Sequence, residues 1–149
     1  MSEYKILPVP AVSVAVFRED VVLLVRRGKP HYRGLWSLPG GSIKTGETMS
    51  AAARRELEEE TGLLAQELRF SDVSDVIVRE DGILLAHYVI LTFVARDVAG
   101  EAKAGSDACE IGWFDRQARM AIETTPKLEE AIFAAEAALK KGTADDFCA

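Results

Sequence analysis

Apolar residues recur along this chain in two periods, and the switches between them mark out its elements. Residues 9–17 (VPAVSVAVF) are valine-rich and suit a buried strand. Arg18-Glu19-Asp20 reads as a turn, and residues 21–25 as the second arm of a hairpin. Residues 28–35 (GKPHYRGL) form a loop by their Gly and Pro content, followed by a short strand at 36–38 and a bend at Pro39-Gly40-Gly41. Residues 64–79 predict one or two strands, centred on 68–70 and 76–78. Glu80-Asp81-Gly82 is a hairpin signal, and residues 83–95 predict the longest strand. Residues 97–107 read as an irregular loop and 111–114 as a last strand. Helical spacing appears twice. Residues 48–61 predict a helix with Thr48 as N-cap, Glu47 at the positive end of its dipole and Gly62 at the C′ position. Residues 126–141 (PKLEEAIFAAEAALKK) predict an amphipathic helix burying Leu128, Ile132, Phe133, Ala135 and Leu139. Helices interspersed with a mixed sheet predict an α/β sandwich. No stretch reads as a linker or repeat, so residues 1–149 are expected to form one domain.

The first helix carries an anomaly. Met49, Ala52, Ala53, Glu56 and Glu60 follow the i, i+3, i+4, i+7, i+11 stripe that is normally buried. The stripe begins apolar and ends in carboxylates. With about 100° per residue, Glu56, Glu59 and Glu60 share an arc of roughly 100°, while Glu58 points away. Carboxylates turned inward together need cations, because buried unpaired charge is costly and like charges repel. Grouped hard oxygen ligands suit Mg²⁺ or Mn²⁺. The plainer alternative is a solvated helix with Arg54–Glu58 and Arg55–Glu59 pairs at i, i+4. The inward stripe and the glycine loop before it favour the cation site. Gly41 to Gly46 also has the glycine spacing of a phosphate loop. Glu47 stands where that loop needs lysine and would repel phosphate, which excludes that reading.

Composition narrows the partners. Hydrophobic residues make up 48% of the chain, enough for a core, and 18 Lys and Arg against 24 Asp and Glu leave a net charge of −6. Nucleic-acid polymers need a basic footprint that this chain lacks. Cys109 and Cys148 have no zinc-binding spacing, and a reducing compartment is the simpler expectation. The N-terminal MSEYKILPVP has no signal-peptide pattern. The longest apolar run, residues 83–95, is broken by His87 and Thr92 and is too short to span a bilayer, so a cytoplasmic protein without membrane partners is expected.

The stretch from Gly41 to Leu63 resembles the Nudix hydrolase box, G-x5-E-x7-R-E-U-x-E-E-x-G-U, where U is a bulky aliphatic residue. Gly41, Glu47, Arg55, Glu56, Leu57, Glu59, Glu60, Gly62 and Leu63 fill every fixed position. The resemblance implies a Nudix-fold α/β/α sandwich with a mixed sheet. It also implies metal ligation by Glu56, Glu59 and Glu60 with the carbonyl of Gly40, Arg55 holding the glutamates by ion pairing, and Glu47 completing the site. Mg²⁺ is the expected cofactor and Mn²⁺ the alternative. Arg26-Arg27, LWSLPGG, HYV and the late EIGWF resemble the small ADP-ribose pyrophosphatase-like branch.

The chemistry implied is hydrolysis of a phosphoanhydride in a nucleoside diphosphate linked to another group. Divalent ions would neutralise the diphosphate and activate a water. ADP-ribose, cleaved to AMP and ribose 5-phosphate, leads by resemblance. A nucleoside triphosphate cleaved to monophosphate and pyrophosphate is the alternative, and a nucleotide-binding regulator a third. In relatives a late carboxylate supplies a ligand or the general base; Glu110 is the candidate, with Asp107 in reserve. Arg26, Arg33 and His87 are the candidate substrate contacts, weighed against solvent exposure for the arginines and a structural hydrogen bond for His87. Homodimers are common in the family, though no segment here requires one.

Overall fold

The valine and alanine alternation of the first strand decides the architecture. In a computed structural model, which describes residues 5–141, β1 (Val9–Ala15) buries residues on both of its faces. Val12, Val14 and Val16 enter one core, with Leu23, Leu68, Phe93 and the helix residues Ala52, Ala53 and Leu57. Ala15 enters a second, with Val22, Leu24, Val94, Leu128, Ile132 and Ala135. Successive strand residues point to opposite sides, so one strand serves two cores. The helices α1 (Met49–Thr61) and α3 (Leu128–Lys140) belong to different cores, and the strands lie between them. This is the expected α/β/α sandwich.

The strands form two sheets. The remaining ones are β2 (Phe17–Arg18), β3 (Val21–Arg27), β4 (Trp36–Ser37), β5 (Gly40–Ser42), β6 (Leu64–Glu80), β7 (Ile83–Ala99) and β8 (Ala108–Phe114). One sheet runs β5-β1-β7-β6, with β1 parallel to β7 and its other pairs antiparallel, which makes it mixed. In the other, β3 pairs with β2, β4 and β8, all antiparallel. Trp36 and Phe114 meet edge to face at 4.8 Å in the second core.

Several elements differ from the sequence reading. Of the one or two strands expected over residues 64–79, the structure has one, β6 of 17 residues, because a bulge between Phe70 and Asp72 lets the ladder continue past the polar interruption. There Ser71 donates its hydroxyl hydrogen to the Thr92 carbonyl at 3.0 Å. β7 extends to Ala99, since its far end pairs with Leu64 and Ala65. The expected bend at Gly40-Gly41 is itself a strand, paired with β1. A short α2 (Arg116–Met120), capped by Asp115 accepting from the Ala118 amide at 2.7 Å, had no counterpart in the reading. α3 begins at Leu128, after Pro126 and a left-handed Lys127 (φ 65°). Cys109 is free and exposed; Cys148 and the expected frayed tail lie outside the described residues. Among those residues no helix is long and apolar enough to cross a membrane.

Two side chains expected in the core are outside it. Phe133 is 76% exposed. The buried row of α3 is Leu128, Ile132 and Ala135, and residue 133 lies about 100° off it. Met49 is 49% exposed, because the buried row of α1 is Ala52, Ala53, Leu57 and Thr61. Glu56 and Glu60 therefore flank that row instead of continuing it.

Leu57→Ala should destabilise the protein by about 2–5 kcal/mol, the range for emptying a packed leucine site. Phe133→Ala should change stability by less than about 0.5 kcal/mol, as exposed positions do. Urea denaturation of both variants checks the assignment, and a large loss at Phe133 would contradict it.

Candidate active site

The site is built around one guanidinium. Thr48 caps α1 by accepting from the Ala51 amide at 3.1 Å, which leaves Glu47 just ahead of the helix. Two turns on, Arg55 points back at it. Arg55 donates Nε to Glu47 Oε2 at 2.7 Å and Nη2 to Glu47 Oε1 at 2.8 Å. Nη1 donates to Glu56 Oε1 at 2.8 Å and to Glu59 Oε2 at 3.2 Å, and Nη2 also reaches the Ser42 carbonyl at 3.1 Å. Glu47 accepts in addition from the Lys44 amide at 3.1 Å. These donors, Arg55 first, hold the Glu47 carboxyl down to about 2. The same pairings, with Glu47 first, hold the guanidinium charged more firmly than usual.

Glu60 sits in the opposite electrostatic state. Its Oε2 accepts from the Gly40 amide at 3.0 Å. Burial, chiefly, and the neighbouring Glu56 and Asp107 push its carboxyl up to about 8, against the pull of the Gly40 amide and Arg27. Two glycines permit this packing. A methyl at Gly41 would overlap the Glu56 carboxylate, and one at Gly40 would overlap the Val12 carbonyl. Glu47, Glu56 and Glu59 thus share the Arg55 guanidinium, Glu60 is left outside that cluster, and the most buried carboxyl is the least able to stay charged alone. Such a donor set fits a hard divalent cation. Glu56 and Glu60 would hold it with oxygen from Gly40, and Glu59 would join on turning from Arg55. Among the described residues no three such groups already stand as a cage, because Arg55 occupies the space between Glu47, Glu56 and Glu59.

Glu56, Glu60, Gly40 and Gly41 face a cavity of about 480 Å³. Its walls come from both sheets, from the loop after β3 and from the chain entering α3. Of the candidate substrate contacts, Arg26, Arg33 and His87 lie outside its lining. Arg26 donates to the Gly34 carbonyl at 3.0 Å and pairs with Glu110 at 3.3 Å, so Glu110 is also outside. His87 meets Asp75 at 2.9 Å, the structural hydrogen bond that competed with the substrate reading. Besides Arg55, the arginine that lines the cavity is Arg27, one residue beyond Arg26 and therefore on the other face of β3. Its Nε donates to the His31 carbonyl at 2.8 Å, which fixes the plane and leaves the two Nη groups without a hydrogen bond among the described residues. Burial along β3 gives no parity signal, since Val25, in step with Arg27, and Leu24, in step with Arg26, are both buried in its hydrophobic run. Asp107 lines the cavity too. Its carboxylate pairs with Lys29 at 3.0 Å, and its carbonyl accepts from the Gly28 amide at 2.9 Å.

A family model for the NUDIX domain matches residues 7–135. The chain belongs to the Nudix hydrolase family. An ADP-ribose pyrophosphatase from Methanocaldococcus jannaschii is 32% identical to this Nudix chain over 130 residues, covering 86% of this chain and 72% of the relative. An 8-oxo-dGDP phosphatase from Mus musculus is 36% identical over 111 residues, covering 70% of this chain but 32% of the relative. A solved MutT NUDIX hydrolase from Burkholderia pseudomallei superposes with a TM-score of 0.77 at 26% identity, covering 86% of this chain and 98% of the other. Nudix hydrolases use divalent metals, in keeping with the donor set around Glu56 and Glu60.

Two carboxyls give opposite pH signatures. The depressed Glu47 contributes stability that is complete above about pH 4.5 and lost as pH falls toward about 2. Glu47→Gln should therefore flatten the acid limb of the stability curve, measured by urea denaturation across that window. The raised Glu60 acts the other way. The folded chain keeps a proton that the unfolded chain has released, so metal-free stability falls between about pH 4.5 and about 8. Without divalent cations, Glu60→Gln should melt above the unmodified protein at about pH 8.5 and close to it at about pH 5. Equal midpoints at both pH values would contradict the buried, charge-starved Glu60. In turnover, Arg27→Ala should lower kcat/KM by about thirtyfold or more and Arg26→Ala by less than about threefold. The reverse ranking would return the phosphate contact to Arg26.

Proposed function

We propose that this Nudix hydrolase cleaves the phosphoanhydride of a nucleoside diphosphate linked to another group, with ADP-ribose, giving AMP and ribose 5-phosphate, as the leading substrate. The observation that carries the reading is the pairing of charges on one cavity. Glu56 and Glu60 offer hard oxygens beside Gly40, while Arg27, Lys29 and Lys44 line the same space with positive charge. That combination suits a diphosphate bound between cations and arginine or lysine. The similarity to the archaeal ADP-ribose pyrophosphatase supports the substrate.

In this reading Glu56, Glu59 and Glu60 hold Mg²⁺, or Mn²⁺, with Gly40. When bound, the cation supplies charge neutralisation and an activated water. The chain's own residues do the rest. Arg55 keeps Glu56 and Glu59 aimed, with Glu47 fixing Arg55 from behind. Arg27 orients the phosphates by a two-pronged contact. Asp107, freed from Lys29, is the carboxylate best placed to accept a proton from the attacking water, since Glu110 is turned to Arg26. Lys29, freed in the same motion, turns to phosphate. The alternative, a triphosphate cleaved to monophosphate and pyrophosphate, needs the same charge pattern.

Purified protein with Mg²⁺, and in parallel Mn²⁺, should release AMP from ADP-ribose faster than from NADH, diadenosine polyphosphates or ordinary and oxidised triphosphates. Chromatography identifies the products. Glu56→Gln, Glu59→Gln and Glu60→Gln should each lower kcat by about 10²-fold or more at saturating Mg²⁺, as loss of an electrostatic transition-state contact does. Near-normal turnover by any of the three would remove that residue from the ligand set. A triphosphate turned over fastest would keep the chemistry and overturn the substrate.

A further inference from the structure

The cavity wall built by β4, β6, β7 and the start of α3 has a chemistry of its own. It carries hydroxyls and apolar side chains. Ser37 on β4 is only 9% exposed and lines the cavity, and among the described residues its hydroxyl makes no hydrogen bond to the protein. That hydroxyl opens onto a space large enough for a ligand and is free to bond one. Ser74, Tyr88 and Thr125 line the same space, also without a side-chain hydrogen bond among the described residues. Ser13 and Thr92 add a hydroxyl pair at 2.8 Å. A hydroxyl donates or accepts equally well, so it satisfies whichever edge is presented to it.

What this wall lacks is equally definite. Base edges are read by groups of fixed polarity: a side-chain amide for adenine, a guanidinium or ammonium for guanine, a carboxylate for cytosine. The chain contains no Asn, and its two Gln residues, Gln66 and Gln117, are exposed and outside the lining. The carboxylates in the lining are Glu56, Glu60 and Asp107, with Glu56 and Glu60 in the proposed cation site and Asp107 paired with Lys29. Arg55 has every donor engaged at the glutamates, and Arg27 lies within the field of Glu60. Lys127 donates to the Asp75 carbonyl at 2.6 Å, and the Thr125 amide to the Trp36 carbonyl at 3.0 Å.

We infer that this wall is a hydroxyl-lined nucleoside subsite that accepts any nucleobase alike, with Ser37 as a direct substrate contact. Discrimination then comes from the diphosphate and the group beyond it. The inference rests on the proposed reaction for the placement of the phosphates, and it deepens that reading by widening the substrate from ADP-linked to NDP-linked compounds.

The test compares ADP-, GDP-, CDP- and UDP-glucose, which differ in the base alone, at saturating Mg²⁺. The four kcat/KM values should agree within about fivefold. A site that reads its base through dedicated hydrogen bonds separates competitors by orders of magnitude. One base favoured by about fiftyfold or more would therefore overturn the inference. Calorimetric affinities for AMP, GMP, CMP and UMP with Mg²⁺ make the same comparison without turnover. If no diphosphate ester is cleaved, the proposed reaction fails, while those four affinities still decide on the base. Ser37→Ala should weaken all four monophosphates by a common factor of about three to ten, with the melting temperature unchanged or raised. Unchanged affinities would remove Ser37 from the site, and a loss confined to one base would make it a base reader. Ser37→Cys, which keeps a small side chain of similar shape, repeats the measurement should the alanine variant fold poorly.

Discussion

The clamp between Glu47 and Arg55 is the constraint on which the rest of the site depends. It is a two-pronged, charge-assisted pair that spans the start of α1 and its middle. Once Arg55 is held by Glu47 and the Ser42 carbonyl, its remaining N–H can serve two further carboxylates without moving. Its positive charge lets Glu56 lie against Gly41, where an unpaired carboxylate would be costly. Arg55 has no donor left for substrate. It organises the acids, which in the proposed reaction leaves the phosphate contact to Arg27.

The second constraint is steric. Ala52 and Ala53 are fully buried, and their small side chains bring α1 close to the strands. That approach places Glu60 within reach of the Gly40 amide. Glu60 is left with one weak partner in a dry place, and its raised pKa follows from that position. One carboxyl just ahead of the helix is therefore over-supplied with donors, and another in its last turn is starved of them. They are thirteen residues apart, and the difference comes entirely from what faces each.

Much of this was legible in the chain. The N-cap Thr48, the left-handed Gly62 and the box spacing locate α1 and its acids without coordinates, and Gly62 indeed has φ 73°. The apolar runs of residues 9–17 and 21–25 likewise mark two buried strands. Legibility failed where an angular error of one residue changes the face. Phe133 and Met49 are apolar, yet each lies off the buried row of its helix. Arg26 and Arg27 are adjacent and chemically identical, and the strand sends them to opposite sides. His87 and Glu110 were candidates by residue type, but each found a partner, Asp75 and Arg26, that only the sheet registers bring near. The bulge at Ser71 was hidden for a similar reason, since its cause is the ladder with β7 and no local signal marks it.

The cavity is walled by both sheets, and this has a mechanical consequence. Val25 and Ser37 belong to one sheet, Ser13, Val76 and Ile90 to the other, and Leu128 and Ala131 to α3. A nucleotide seated among them would act as a cross-brace, adding to hydrogen bonds such as those from Lys127 to the Asp75 carbonyl and from the Thr125 amide to the Trp36 carbonyl. Opening the wedge then means losing the ligand, so bound nucleotide stabilises the whole fold by mass action. The local openings most suppressed are those that part β4 from β7 or lift the first turn of α3. Slowed amide exchange in those segments would be the imprint of ligand on the scaffold, away from the acids of the proposed cation site.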